Sequence, residues 1–316
     1  MSHRLDLDRI EEAARVVDPV FLGTPQFVSE GLVEGVRVLL KVETANPIRS
    51  FKGRGAGYFV HRLRARAPLV CASAGNFGQG LAWAARARGM PLTIFAAVGA
   101  SPLKVERMRR FGAEVRLGGE DFDAAKAAAR TWAERAGATF VEDGREAAIA
   151  EGAGGMAVEL LQWPEAPEAL LVPVGNGALI TGVARWVKAH SPETRVVGVS
   201  AAGAPAMERS WRTGAVVETD ATDTIADGIA VRVPVAEALA DMRGVVDEMV
   251  LVDDQAIVRA MRRTFEETGL VVEPAGAAGV AALVAAPERW RGRLVATPLC
   301  GSNITAEQAR RWLLGG

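Results

Sequence analysis

Lys52 stands in "SFKGRGA" (Ser50–Ala56), between an aromatic residue and a glycine, where the apolar run Val36–Val42 gives way to a helical pattern. An amine at such a turn has three chemical uses. It can be a solvated helix-start cation, a phosphate clamp, or the nitrogen that forms an imine with a carbonyl cofactor. Four glycine-rich turns elsewhere narrow the choice. "GNGALITG" (Gly175–Gly182) follows the apolar run Ala169–Val174 and leads into a helical pattern from Ala178. Its small residues let backbone N–H groups converge at the positive end of a helix, which suits one phosphate group. It is not a Walker loop, because Val183 and Ala184 follow the last glycine where Lys and Ser or Thr would stand. It is not a dinucleotide fingerprint, because Ile180 takes the third glycine position. A tight turn with no ligand is its alternative.

The turn "SAGNFGQG" (Ser73–Gly80) after Leu69–Ala72 combines exposed N–H groups with a hydroxyl and an amide. Such a nest suits a carboxylate, and a serine-capped turn is the competing description. "EPAGAAG" (Glu273–Gly279) opens a helix after Leu270–Val272, taken here as a strand end, and "CGSN" (Cys300–Asn303) follows the last strand pattern. A lone lysine, a monophosphate cup and a carboxylate nest together suit pyridoxal phosphate held on a lysine imine, with an amino acid as substrate.

These groups must be positioned by a regular scaffold, and the chain supplies one. Short β-branched runs at Val36–Val42, Leu69–Ala72, Leu92–Ala97, Glu114–Leu117, Thr139–Val141, Ala169–Val174, Val196–Ser200, Met249–Val252 and Leu294–Pro298 alternate with alanine-rich amphipathic stretches. That alternation predicts an α/β fold with mainly parallel sheets flanked by helices, in which ligands bind at the carboxyl ends of strands. The 316 residues, 49% hydrophobic and 24% charged, suffice for a large core. A formal net charge of -1 gives no global field for nucleic acid or an anionic membrane, so neither is expected as a partner. No secretory signal is expected from the polar N-terminal stretch, nor a membrane span from any apolar run. Cys71 and Cys300 make no disulfide framework, and His3, His61 and His190 match no metal spacing. A cytoplasmic chain without metal is the expectation.

The motifs occur in the order that identifies a family. "SFKGRGA", "SAGNFGQG", "EGAGGMAVEL" (Glu151–Leu160), "VPVGNGALITG", "TIADGIAVRVP" (Thr224–Pro234), "EPAGAAGVAAL" and "LCGSN" (Leu299–Asn303) resemble the fold-type II pyridoxal-phosphate enzymes, within them the threonine/serine dehydratase group. The resemblance runs from about Thr24 to Asn303. It implies a tryptophan synthase β-like fold with two open twisted sheets. Residues 42–137 would form a small domain inserted into a large cofactor-binding domain made of residues 1–41 and 138–316. It implies that Lys52 bears the cofactor imine, with Phe51 packed near it and Asn76 bonded to the ring hydroxyl. Gly175, Asn176, Gly177, Ala178 and Leu179 would cradle the phosphate, and Cys300 would face the ring nitrogen. Ser73, Ala74, Gly75, Asn76 and Phe77 would surround the substrate carboxylate. The implied reaction is β-elimination from an amino acid such as L-threonine or L-serine, giving a 2-oxo acid and ammonia in a homodimer. β-Replacement, serine racemisation and 3-hydroxyaspartate dehydration are the alternatives on the same fold.

Several positions depart from that pattern. Arg49 stands where a glycine usually precedes the Ser-Phe-Lys triplet, and is either a turn residue or a reader of a second substrate carboxylate. Phe77 replaces the usual histidine. Ala74 stands where the racemases carry serine, which argues against racemisation. The stretch "SAAGAPAM" (Ser200–Met207) lacks the acids that hold a cation in some relatives. The chain ends soon after "CGSN", so no C-terminal regulatory domain is expected.

Overall fold

The computed structural model describes residues 3–315. Its strands are β1 (Gln26–Val33), β2 (Val36–Val42), β3 (Leu69–Ala72), β4 (Leu92–Ala96), β5 (Glu114–Leu117), β6 (Thr139–Phe140), β7 (Ala169–Pro173), β8 (Arg195–Ala201), β9 (Glu248–Val252) and β10 (Leu294–Leu299). They form a six-stranded sheet in the order β1-β2-β10-β7-β8-β9 and a four-stranded sheet in the order β5-β4-β3-β6. All pairings are parallel except β1 with β2. The central strands β7 and β10 are buried at every position, as expected of strands covered on both faces by helices. Strand β5, at an edge, is largely exposed.

Strand order decides where the motifs go. Strand β10 lies between β2 and β7 with parallel register, Leu299 opposite Val42 and Val295 opposite Ala169. The loops after β2, β10 and β7 therefore emerge side by side: the lysine segment, "CGSN" and "GNGALITG". In the smaller sheet β3 pairs with β6. The loop "SAGN" is thereby set beside the segment that follows Phe140.

Two expectations are corrected. Leu270–Val272 is not a strand. The helix Asp254–Thr268 ends at Gly269, in the left-handed region, and the residues that follow pair with no strand: Leu270 is half-buried, Val271 exposed and Val272 fully buried. The apolar run meets the core through its ends and joins no sheet. Strand β1 escaped the sequence reading. Its alternation is broken by a register shift between Ser29 and Val33, and it joins β2 through Glu34 and Gly35, the latter at φ 71°.

The helix Lys52–Arg62 carries the amine on its first residue. Arg54, two residues on in its first turn, is 1% exposed. Its guanidinium donates to both oxygens of Glu43 at 2.8 and 2.9 Å and to both oxygens of Glu159 at 2.8 and 2.9 Å. Lys41 of β2, also buried, donates to Glu159 at 2.6 Å and to the Thr24 carbonyl at 2.7 Å. The cluster ties the helix to the end of β2 and to the helix Ala147–Leu160. Burial would raise the Glu159 carboxyl, but the hydrogen bonds and charges of Arg54 and Lys41 outweigh it and bring the group down to about 2. On the other side of the helix Gly80 supplies close approach. A Cβ there would lie 2.8 Å from the Lys52 carbonyl oxygen, so only glycine lets the helix Asn76–Ala87 pack so near the lysine.

Removing the guanidinium strands two carboxylates in the core. Arg54→Ala should lower unfolding free energy by about 3–5 kcal/mol, the usual cost of breaking one side of a buried pair. Chemical denaturation of the purified chain measures it. A loss below about 1 kcal/mol, typical of a surface pair, would show that the cluster does not anchor the helix.

Candidate active site

The carboxyl edges of the two sheets face a cavity of about 490 Å³. Lys52, Phe51 and Cys300 contribute from the larger sheet's loops, Gly175–Leu179 form another part of the wall, and Ala72–Phe77 come from the smaller sheet. Every residue that the sequence reading placed at the site lines this one cavity.

Lys52 is positioned through its backbone. The Phe51 N–H donates to the Cys300 carbonyl at 3.1 Å, Ser50 bridges to Gly301, and the Lys52 N–H donates to Ser50 Oγ at 3.3 Å. The Lys52 ammonium nitrogen lies 4.8 Å from the Phe51 ring centroid and 5.9 Å from that of Phe77, a shielded position over aromatic faces. Its ion-pair partner is Asp143.

Opposite it, the loop before the helix Ala178–His190 turns at Gly177, φ 90°. Among the described residues the N–H groups of Gly175 through Leu179 donate to no protein acceptor, so they are free to converge on an anion. In the neighbouring nest Ser73 Oγ accepts from the Gly75 and Gly78 N–H groups at 3.2 and 2.9 Å. The N–H groups of Ala74, Asn76 and Phe77 remain without a protein acceptor among the described residues.

Asn76 is held from behind. Its amide donates to Glu273 at 2.5 Å and its oxygen accepts from Asn303 Nδ2 at 2.9 Å. Burial pushes the Glu273 carboxyl up, against the opposing pull of Lys104. Lys104 pairs with Asp227 at 2.6 Å, and Arg107 donates to Asn303 at 2.7 Å. The helix Pro102–Arg110 is thus stitched across the cavity to the segments that carry Asp227 and Asn303. Cys300 is buried and free, as is Cys71. Burial, with Glu43 and Glu273 nearby, pushes the Cys300 thiol well above its ordinary range, so it is a neutral group.

The sequence reading missed Asp143, Lys104 and Asp227, which also line the cavity. Asp143 had a usable signal, since it follows a strand pattern whose neighbour β3 carries the nest. Lys104 and Asp227 had none, because their pairing spans 123 positions. The second-carboxylate role considered for Arg49 is corrected. Arg49 lines a different, open recess with Thr44, Asn46, Ser302 and Thr305. Its φ of 53° explains why glycine suits this position: the turn needs a left-handed residue, and its N–H and carbonyl bond to Asn46 and Ser302.

Residues 17–301 match the family model described as pyridoxal-phosphate dependent enzyme. The chain is 39% identical over 255 residues to an L-threonine ammonia-lyase of Geobacter sulfurreducens, covering 79% of this chain and 63% of that protein. It is 36% identical over 312 residues to an L-threonine ammonia-lyase of Thermotoga maritima, covering 97% and 78%. The chain thus spans less than two thirds of the first of these relatives and more of the second. The crystal structure of a T.th. threonine deaminase superposes with a TM-score of 0.89 at 32% identity, covering 95% of this chain and 99% of that one. Maize serine racemase superposes with 0.90 at 28%, covering 97% and 96%. The chain belongs to the pyridoxal-phosphate dependent enzymes, and the fold is their type II.

The cavity fits that cofactor on its own terms. It offers an amine beside a neutral thiol and a cup of unpaired N–H groups. A Cβ at Gly177 would meet Ala238 Cβ at 2.9 Å, in a backbone region that side chains rarely adopt. Gly177→Ala therefore costs about 1–2 kcal/mol of local strain in the cup. Titration of the cofactor-free chain with pyridoxal phosphate should show affinity reduced on the order of tenfold. Unchanged affinity would mean that the cup does not hold the phosphate.

Proposed function

We propose that the chain is a β-eliminating ammonia-lyase that converts L-threonine or L-serine to a 2-oxo acid and ammonia. The observation that carries this reading is the Lys52 amine facing the cup Gly175–Leu179 and the nest Ser73–Phe77 within one cavity. The two ammonia-lyase relatives support threonine as the first substrate to test.

In this reading Lys52 holds the cofactor and, once free, takes the proton from the substrate Cα. Its place over Phe51 and Phe77 keeps water away from that nitrogen. The N–H groups of Ala74, Asn76 and Phe77 bind the substrate carboxylate, with Ser73 fixing their loop. Gly175, Asn176, Gly177, Ala178 and Leu179 hold the phosphate through N–H groups, and Asn76, buttressed by Glu273 and Asn303, orients the ring. When bound, pyridoxal phosphate spreads the electron pair released at Cα into its ring. Cys300, a neutral thiol at the ring, does not hold a full positive charge there, which favours prompt departure of the β-group. The Cα–H pair becomes the Cα–Cβ double bond, the Cβ–O bond breaks, and the hydroxide takes up one proton to leave as water, in net balance with the proton Lys52 removed from Cα. The released enamine tautomerises to an imine, which water hydrolyses to the 2-oxo acid and ammonia.

Residues 42–137 serve as the small domain and residues 1–41 with 138–316 as the large one, positions 1, 2 and 316 lying outside the described residues. The four-stranded and six-stranded sheets support the division, although β6, just past its boundary, pairs in the smaller sheet. No described helix is long and apolar enough to cross a membrane. We place the enzyme in the cytoplasm as a homodimer, the arrangement the family resemblance implies.

The test is release of ammonia and oxo acid from threonine and serine, without a second nucleophile, by the purified enzyme loaded with cofactor. Lys52→Ala should reduce that release by on the order of 10³-fold or more. Turnover only with an added thiol would indicate β-replacement. Inverted amino acid without ammonia would indicate a racemase.

A further inference from the structure

The charges lining the cavity are balanced in a selective way. Each lysine or arginine that lines it already has an acidic partner: Lys52 with Asp143, Lys104 with Asp227, Lys126 with Glu142 and Arg232 with Asp123. No lining cation is left over for a second carboxylate on a substrate. Among the buried side-chain atoms of the lining residues, one acceptor is left over. Asp143 Oδ1 is buried with no hydrogen-bond partner, while Oδ2 takes the Lys52 ammonium. A buried carboxylate oxygen without a donor is costly, and its presence in a ligand cavity indicates a donor that arrives with the ligand.

The carboxylate cannot easily turn away. Its neighbour Gly144, at φ 90°, is pressed against the phosphate cup, where a Cβ would lie 2.3 Å from the Asn176 carbonyl oxygen. Glu142 on the other side is held by Lys126 and Arg130. The segment is fixed at both flanks, with Asp143 between the amine and the cup. If the Lys52 nitrogen were engaged by the cofactor, Oδ2 would lose its ammonium partner as well, leaving both oxygens open to the cavity.

We infer that Asp143 determines side-chain specificity: its carboxylate accepts a hydrogen bond from the β-hydroxyl of the substrate and repels a substrate that carries a second carboxylate there. The inference rests on the lyase reading above and narrows its substrate class to neutral β-hydroxy amino acids, against the 3-hydroxyaspartate alternative. The interaction is a hydrogen bond from a neutral hydroxyl to an ionised acceptor, stronger than a neutral pair. Juxtaposing like charges in a desolvated site is strongly unfavourable.

The experiment compares kcat/KM for threonine and 3-hydroxyaspartate in the loaded wild-type enzyme and in Asp143→Asn. Wild type should prefer threonine, and the variant should raise the 3-hydroxyaspartate-to-threonine ratio by roughly tenfold to a hundredfold. A second readout needs no turnover. Calorimetry of the loaded enzyme with 3-hydroxypropanoate and propanoate, which lack an amine, should show the hydroxylated acid binding about tenfold tighter in wild type, the difference shrinking in Asp143→Asn, whose amide oxygen still accepts, and vanishing in Asp143→Ala. Asp143→Ser serves if the asparagine variant does not take up cofactor. Equal use of 3-hydroxyaspartate and threonine by wild type, or both substrates falling together in the variant, would overturn the inference and leave the lyase reading standing. Oxo acid released from neither substrate by wild type would overturn the lyase reading itself.

Discussion

The site depends on a guanidinium taken almost wholly out of water. Arg54 sits two residues beyond Lys52, and its ion pairs with Glu43 and Glu159 fix the rotation and height of the helix that starts at the lysine. A buried pair of this kind is not an efficient source of stability, since desolvation cancels much of the attraction. What it supplies is direction. A guanidinium satisfied on both forks by two carboxylates has one geometry, and the helix cannot slide along β2 or turn about its axis without leaving a charge unpaired. The lysine inherits that precision through the covalent chain, while Gly80 brings the nest-bearing helix to within contact of the lysine's own carbonyl.

Parallel sheets do the rest. Because β2, β10 and β7 run side by side in one direction, the loops that follow them are neighbours, although more than 250 positions separate Val42 from Leu299 in a paired register. The smaller sheet repeats the device with β3 and β6. Where the two carboxyl edges face each other, backbone N–H groups from two helix starts point into one space. Every lysine or arginine lining that space has an acidic partner. The field left for ligands therefore comes from oriented backbone dipoles and from acidic groups such as Asp143, and not from surplus cations.

Much of this was legible in the chain. The alternation of short apolar runs with alanine-rich stretches fixed the fold class, since parallel strands carry a strong local signature. The glycine turns announced themselves because a cup of backbone donors needs small residues, as Gly177 needs a left-handed conformation. What stayed hidden were pairings over distance. Arg54 looked like one more residue in a small-residue segment, because burial of a charge is decided by partners such as Glu159 that no local pattern reveals. Asp143 belonged to none of the motifs. Leu270–Val272 read as a strand end because a short apolar run alone does not distinguish a strand from a connecting segment that buries one of its side chains. Arg49 stayed open between a turn residue and a substrate contact because the sequence shows its proximity to Lys52 but not the turn that sends the two side chains into different recesses.

The central claim is that Lys52, among the lysines at the cavity, bears the cofactor. Lys104 and Lys126 line the same space and give the claim real competitors. Borohydride reduction of the loaded enzyme, followed by proteolysis and mass spectrometry of the peptides, decides among them. The account predicts the reduced pyridoxyl group on the peptide containing Lys52 and on no other. A pyridoxyl group on Lys104 or Lys126, with Lys52 unmodified, would contradict it.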